Sequence, residues 1–193
     1  MKRTPVDQPV AFVEIPKGSR NKYEYDDRFG RVVLDRTLWA SVVYPCDYGF
    51  LLDTHGPDGD PLDALVLVTA PTFPGCLVPC DPVGVLHMHD EAGDDPKLLC
   101  VPHNDPSWSH RRQLEDIRPS LLDEIAHFFE VYKDLEDGKH TTVQGWEGEA
   151  AALEIYRQGH AAWVERNEGT GGERRAPSPV SYTHLTLPTK RIV

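Results

Sequence analysis

Over roughly the first hundred positions, apolar and polar residues alternate in short runs; beyond them the period becomes helical. Ala11 to Ile15 sets Phe12 and Glu14 on one face of a strand and Val13 and Ile15 on the other. Lys22-Tyr23-Glu24-Tyr25 alternates cleanly and brings Lys22 and Glu24 to one face, and Arg31 to Leu34, beyond Gly30, reads as the hairpin partner. Further strand candidates are Ser41 to Tyr44, Tyr48 to Leu52, Leu65 to Val68, Val83 to His89 and Lys97 to Val101. From Ser120, the residues Leu121, Leu122, Ile125, Phe128, Phe129 and Tyr132 form one wide helical stripe. Ser120 and Asp123 resemble a capping box, and Gly138 follows the exit. A second helix is expected from about Glu147 to Arg166, with Leu153, Tyr156, His160 and Trp163 along one side. The pattern predicts a mainly β fold with α elements: a barrel or sandwich of short strands with two helices against it.

A chain of 193 residues suits one domain, placed here at residues 1–167, with the first ten as an arm. Residues 168–193 are Gly- and Pro-rich and then lose both periods, so a disordered tail is expected. Its last stretch, residues 181–193 (SYTHLTLPTKRIV), reads as a non-native extension.

The 31 Asp and Glu against 20 Lys and Arg give a net charge of −11, which argues against a nucleic-acid binder tracking phosphates and against a basic membrane-surface helix. The longest apolar stretch, about Ala64 to Ala70, is far below the roughly 18 residues of a membrane span. Pro5, Asp7 and Pro9 interrupt any secretory signal, so the cytoplasm is the expected compartment. Cys46, Cys76, Cys80 and Cys100 are then expected to be free thiols, buried or half-buried. Cys76 and Cys80 with His87 and His89 have zinc-ligand residue types, but the His-x-His spacing is short for a structural site.

The chemistry concentrates in Asp58-Gly59-Asp60-Pro61-Leu62-Asp63, three carboxylates within six residues. They are either a solvated acidic turn or a site where a cation relieves their repulsion, and oxygen ligands at that density suit Mg2+, Mn2+ or Ca2+. An EF-hand is excluded, because its sixth position would be Asp63 and its twelfth Thr69. A second acidic group, Asp90 to Asp95, closes a strand just before Lys97. Lys22, Arg36, Lys97 and Lys133, with Tyr44, Tyr48 and Tyr132, supply cations and hydroxyls for a multiply charged phosphate ligand. Residue types and spacing thus point to metal-dependent phosphoryl transfer.

Asp58 to Ala64 (DGDPLDA) resembles the signature of the soluble family I inorganic pyrophosphatases. So do Phe12 to Glu24 (FVEIPKGSRNKYE), Tyr44 to Phe50 (YPCDYGF), Asp90 to Lys97 and Ala126 to Leu135 (AHFFEVYKDL), and the opening looks most like actinobacterial members. The resemblance runs in order over about residues 10–165. It implies a five-stranded OB-like β-barrel flanked by two α-helices, and hydrolysis of pyrophosphate to two orthophosphates with several Mg2+ per site, Mn2+ or Zn2+ being substitutes. By position it implies Glu14, Asp58, Asp63, Asp90 and Asp95 as metal ligands, and Asp60 as general base with Asp95 the second candidate. Lys22, Arg36, Tyr48, Lys97, Tyr132 and Lys133 fall at the phosphate-binding positions, with Glu24 and Tyr44 as supports behind them. It also implies a homohexamer, although Val131 stands where a His is frequent at the subunit contacts of bacterial relatives. Asp94 and Pro96 depart from the pattern just before Lys97 and bear on the reach of that lysine.

Three other readings compete: a different metal-dependent phosphohydrolase acting on a small polyphosphate, a nuclease or organic phosphatase on the same acidic loops, and a non-catalytic OB-type binding module. The last two need stacking platforms or basic tracks, which a chain with 9% aromatic residues, several on the helix stripe, does not offer.

Overall fold

A computed structural model of the chain describes residues 8–168. Its strands are β1 (Val10–Ile15), β2 (Asn21–Asp26), β3 (Arg31–Thr37), β4 (Asp47–Leu51), β5 (Asp63–Val66), β6 (Leu77–Asp90), β7 (Gly93–Asp94), β8 (Lys97–Pro102) and β9 (Thr141–Gly148); its helices are α1 (Pro119–Val131) and α2 (Glu149–Glu168). The expected tail lies outside the described residues apart from Glu168, the last residue of α2, and most of the expected arm lies outside them too. No helix among the described residues is long and apolar enough to cross a membrane.

Five strands close into a ring in the order β1, β4, β5, β8, β6 and back to β1, which is the mainly β architecture with two helices that the sequence led us to expect. All neighbours pair antiparallel except β5 with β8. Closure depends on the 14 residues of β6: its first part pairs with β1, while its remainder pairs with β8 on one side and with β9 and β7 further along. A closed ring leaves few unpaired edges. The hairpin of β2 and β3 forms a separate two-stranded sheet.

β5, β8 and the middle of β6 are buried on both faces, which explains the unbroken apolar run after Asp63, whereas β1 and β4 bury alternate residues. Leu65, Leu99, Leu86 and Met88 face a cluster with Ile125, Phe128 and Phe129 of α1. Their neighbours Ala64, Val66, Leu98, Cys100 and Val85 face a second cluster that reaches Ala152, Ile155 and Tyr156 of α2. The rings of Tyr156, His160 and Trp163 stack along α2 with centroids 6.0 Å apart at each step. Four free thiols are present, three buried and Cys76 half-buried, as expected.

Three local readings are corrected. Ser41 to Tyr44 is not a strand: Tyr44 exchanges hydrogen bonds with the loop before β2, accepting from Gly18 N–H at 2.8 Å and donating to Ser19 O at 3.0 Å. The first helix starts at Pro119 with Arg118 at the N-cap and no side-chain cap, because proline's missing N–H is harmless in the first turn. β9 takes residues from the expected start of the second helix, so that helix begins at Glu149.

Candidate active site

Alternation along the strands sends polar side chains out of the α1-side core into one cleft. Asp63 shares a face with Leu65, Lys97 with Leu99, and Asp90 with Met88 and Leu86. Aromatic rings underlie that cleft: Tyr44 lies 4.7 Å from Phe128 and 5.6 Å from Tyr48, and Tyr132 stacks on Phe128 at 5.4 Å.

Lys97 sits at the centre with only 3% of its side chain exposed. Its ammonium lies 2.5 Å from Asp95 Oδ1 and also pairs with Asp63 Oδ2. The Tyr48 hydroxyl donates to the same Asp63 oxygen at 2.7 Å, and burial pushes that phenol's pKa up, so it stays a donor. Burial alone would pull Lys97 down; Asp63 and Asp95 override it and raise the ammonium above its usual range. At the end of β6, Lys133 Nζ pairs with Asp90 Oδ2 at 2.9 Å and Glu91 Oε1 at 3.4 Å. Burial would raise the Asp90 carboxyl, and Lys133 holds it below the ordinary value instead.

Glu14 occupies a β-bulge. Val13 pairs with Gly49 and Ile15 with Tyr48, so Glu14 is the extra residue of β1 and has no partner across the ladder. Its Oε1 accepts from Tyr25 N–H at 2.6 Å. Burial lifts its carboxyl to about 7, against the Tyr25 N–H and with the Asp63 charge adding to the rise. The Asp95 carboxyl is also raised, first by burial, with Lys97 opposing and Asp63 contributing. Asp63 thus adds to the rise at both Glu14 and Asp95, while Lys97 pairs with Asp63 and Asp95, and carboxylate oxygens are the donors that hard divalent cations take. The residue types fit such ions.

A second bulge shapes the hairpin. Lys22 pairs with Arg36 and Tyr23 with Leu34, leaving Asp35 as the extra residue. Asp35 contacts Arg36 Nη1 and lies 3.3 Å from Lys22 Nζ, while Lys22 also pairs with Glu24 on its own face. Across 100 residues of sequence, Arg36 Nε donates to Glu136 Oε1 at 3.0 Å.

Glu14, Lys22, Arg36, Tyr44, Tyr48, Asp63, Asp90, Asp95, Lys97, Tyr132 and Lys133 are thus linked by contact or by mutual electrostatic influence. Asp58 and Asp60 stand apart in the exposed turn before β5, where Asp58 Oδ1 accepts the Asp60 N–H at 3.1 Å. Among the described residues, no group of three or more His, Cys, Asp or Glu side chains is gathered closely enough to hold a metal ion. Lys97 and Lys133 engage the carboxylates instead. That result includes the Cys and His positions: His87 pairs with Glu147 at 2.7 Å and His89 with Asp94 at 3.1 Å. Sequence reasoning missed Asp35 and Glu136. Adjacency to Arg36 and a position three residues after Lys133 were the only local signals.

Carboxylates interleaved with ammonium and guanidinium groups at one end of a closed β ring are groups whose chemistry suits a compact polyanion bound together with cations. The pattern of the inorganic pyrophosphatase family matches residues 11–164. An inorganic pyrophosphatase of Methanosarcina acetivorans is 55% identical over 156 residues, 81% of this chain and 92% of the relative. That of Streptomyces coelicolor is 56% identical over 140 residues, 72% and 86% of the two chains. The crystal structure of inorganic pyrophosphatase from Thermus thermophilus superposes with a TM-score of 0.81 at 43% identity, covering 85% of this chain and 95% of that one. The chain belongs to the inorganic pyrophosphatase family.

Proposed function

We propose that this chain hydrolyses inorganic pyrophosphate to two orthophosphates with Mg2+ as its divalent metal. The observation that carries this reading is the arrangement around Lys97, where a buried ammonium between Asp63 and Asp95 adjoins a second pairing of Lys133 with Asp90. Family membership brings dependence on divalent metal; the choice of Mg2+ and the roles below are our assignment. Glu14, Asp58, Asp63, Asp90 and Asp95 would hold the ions. When bound, these ions supply Lewis-acid stabilisation of phosphate oxygens and a water acidic enough to lose its proton near neutral pH.

The chain's own groups do the rest. Asp60, exposed and next to the ligand turn, accepts the proton of the attacking water, and Asp95 is the second carboxylate able to do so. A carboxylate base needs no large shift in its own affinity for protons when the water is already acidic. Lys22, Arg36, Lys97 and Lys133 take the phosphoryl oxygens and offset charge developing on the leaving phosphate, and the Tyr48 and Tyr132 hydroxyls donate hydrogen bonds. Tyr44 and Glu24 support Tyr48 and Lys22 from behind. Holding both phosphoryl groups in line between two sets of cations accounts for most of the rate in such a reaction.

Assembly as a homohexamer in the cytoplasm belongs to the same reading, and sedimentation would give the oligomeric state. The reaction is tested by phosphate release from pyrophosphate, ATP and a nitrophenyl ester, with Mg2+ and with EDTA. Preference for pyrophosphate, lost with EDTA, is expected; preference for the ester or for ATP would overturn the assignment.

A further inference from the structure

Arg36 lies on a hairpin that shares no ladder with the closed ring, and a two-stranded sheet alone holds its side chains loosely. Within the hairpin, Arg36 faces Lys22 across the ladder, and the bulged Asp35 touches both. Tyr25, further along the hairpin, ties it to β1 through Glu14 and Phe12, and a separate contact holds the cation pair itself. Glu136 makes that contact from the turn after α1: its carboxylate, with 8% of the side chain exposed, meets Arg36 at Nε (3.0 Å) and near Nη2 (2.9 Å). The same turn carries Lys133, whose carbonyl accepts the Glu136 N–H at 2.8 Å. One short segment therefore sets the position of two phosphate-site cations from separate parts of the fold.

Glu136 holds the Nε–Nη2 edge of the guanidinium at two points, and Asp35 contacts Nη1. The Nη1 side, where Asp35 also reaches Lys22, is the part of Arg36 left to meet a ligand. Lys139 Nζ, 3.2 Å from Glu136 Oε2, offsets the carboxylate's charge, so Lys22, Arg36 and Lys139 balance Glu24, Asp35 and Glu136 around this corner.

We infer that Glu136 is a positioning residue for Arg36, gripping the Nε–Nη2 edge so that the Nη1 side of the guanidinium is aimed at a phosphoryl oxygen of the substrate. The inference rests on the pyrophosphate reading above. A carboxylate on an arginine can instead compete with substrate for it. The two-point grip on Nε and Nη2 argues for positioning, because a phosphoryl oxygen can meet the Nη1 side without displacing Glu136.

The two roles have opposite signs, and a cycle of variants separates them. Glu136→Gln, Glu136→Asp, Arg36→Ala and the Arg36→Ala/Glu136→Gln double variant would be compared in the full chain at saturating Mg2+. The readouts are KM and kcat for pyrophosphate, affinity for inorganic phosphate, and Tm. Glu136→Gln is expected to raise KM about tenfold and weaken phosphate binding in parallel, with a smaller change in kcat and Asp giving partial rescue. In the Arg36→Ala background Glu136→Gln should cost nothing more. Unchanged or tighter binding in Glu136→Gln overturns the inference, as does a penalty that persists without Arg36. If Arg36→Ala weakens binding and Glu136→Gln does not, only the positioning role fails. If Arg36→Ala leaves KM and phosphate affinity unchanged, the placement of Arg36 at the phosphate falls and the inference falls with it.

Discussion

Lys97 Nζ lies 2.5 Å from Asp95 Oδ1 with almost no access to water, so the cleft keeps an ammonium where carboxylates crowd. Removing the ammonium leaves two half-buried carboxylates uncompensated. Lys97→Met should cost about 3 kcal/mol in urea unfolding with EDTA present. Mg2+ should restore more stability to this variant than to the parent, because it supplies charge to the same carboxylates. Equal Mg2+ gains in the two proteins would contradict the placement of metal at Asp63 and Asp95.

Asp60→Asn and Asp63→Asn separate base from ligand. Asp60 is exposed, and replacing it should leave stability within about 0.5 kcal/mol. Its loss should lower kcat by about 10²- to 10⁴-fold. Asp63→Asn should also remove turnover while the fold persists, since Lys97 retains Asp95, and it should weaken Mg2+ stabilisation as well. Full-rate turnover in Asp63→Asn would refute the metal assignment.

The pH dependence follows from Glu14, whose carboxyl rises from an ordinary 4.5 to about 7 on folding. Between those values the folded chain binds more protons than the unfolded one. This group therefore stabilises the metal-free protein at the low end of the window, and that contribution is lost as pH rises through about 7. Divalent metal must displace the same proton. Midpoints of Mg2+-induced Tm shifts should move to higher concentration between pH 8 and pH 6, approaching about tenfold per pH unit for one proton. Glu14→Gln should flatten that slope; an unchanged slope would place the proton elsewhere.

Gly49 is a steric prediction. A Cβ there would stand 1.9 Å from the Phe12 carbonyl oxygen, a backbone atom that cannot swing aside. Gly49→Ala should destabilise the chain by about 3 kcal/mol, measured by thermal or urea unfolding. It should lower Mg2+ affinity too, because relief of the clash moves the β1 bulge that carries Glu14.

Much of the fold was legible because short alternating or continuous apolar runs bounded by Gly or Pro mark the hairpin of β2 and β3 and the ring strands β1, β4, β5, β6 and β8. β9 was not: Thr141–Gly148 is mostly polar, and a register slip opposite His87 and Met88 interrupts its alternation. Ser41 to Tyr44 misled for the converse reason, since an apolar run that anchors Tyr44 in the core pairs with a loop. The order of strands in the ring was also out of reach, because β6 pairs with four other strands along its length. In the site, the motif residues could be read from the sequence, but the companions of Arg36 could not. Glu136 meets it only through the tertiary fold, and Asp35 only because its strand slips by one residue.

Glu14 and Asp35 are each one residue too many for a regular ladder. Deleting either would let its strand pair without interruption and would take a carboxylate out of the site. An engineering campaign scored only on melting temperature, and free to regularise strands, would select those deletions and return sturdier sheets with a blunted cleft. In this chain the count of residues between strand ends is as much a functional parameter as the identity of any one of them.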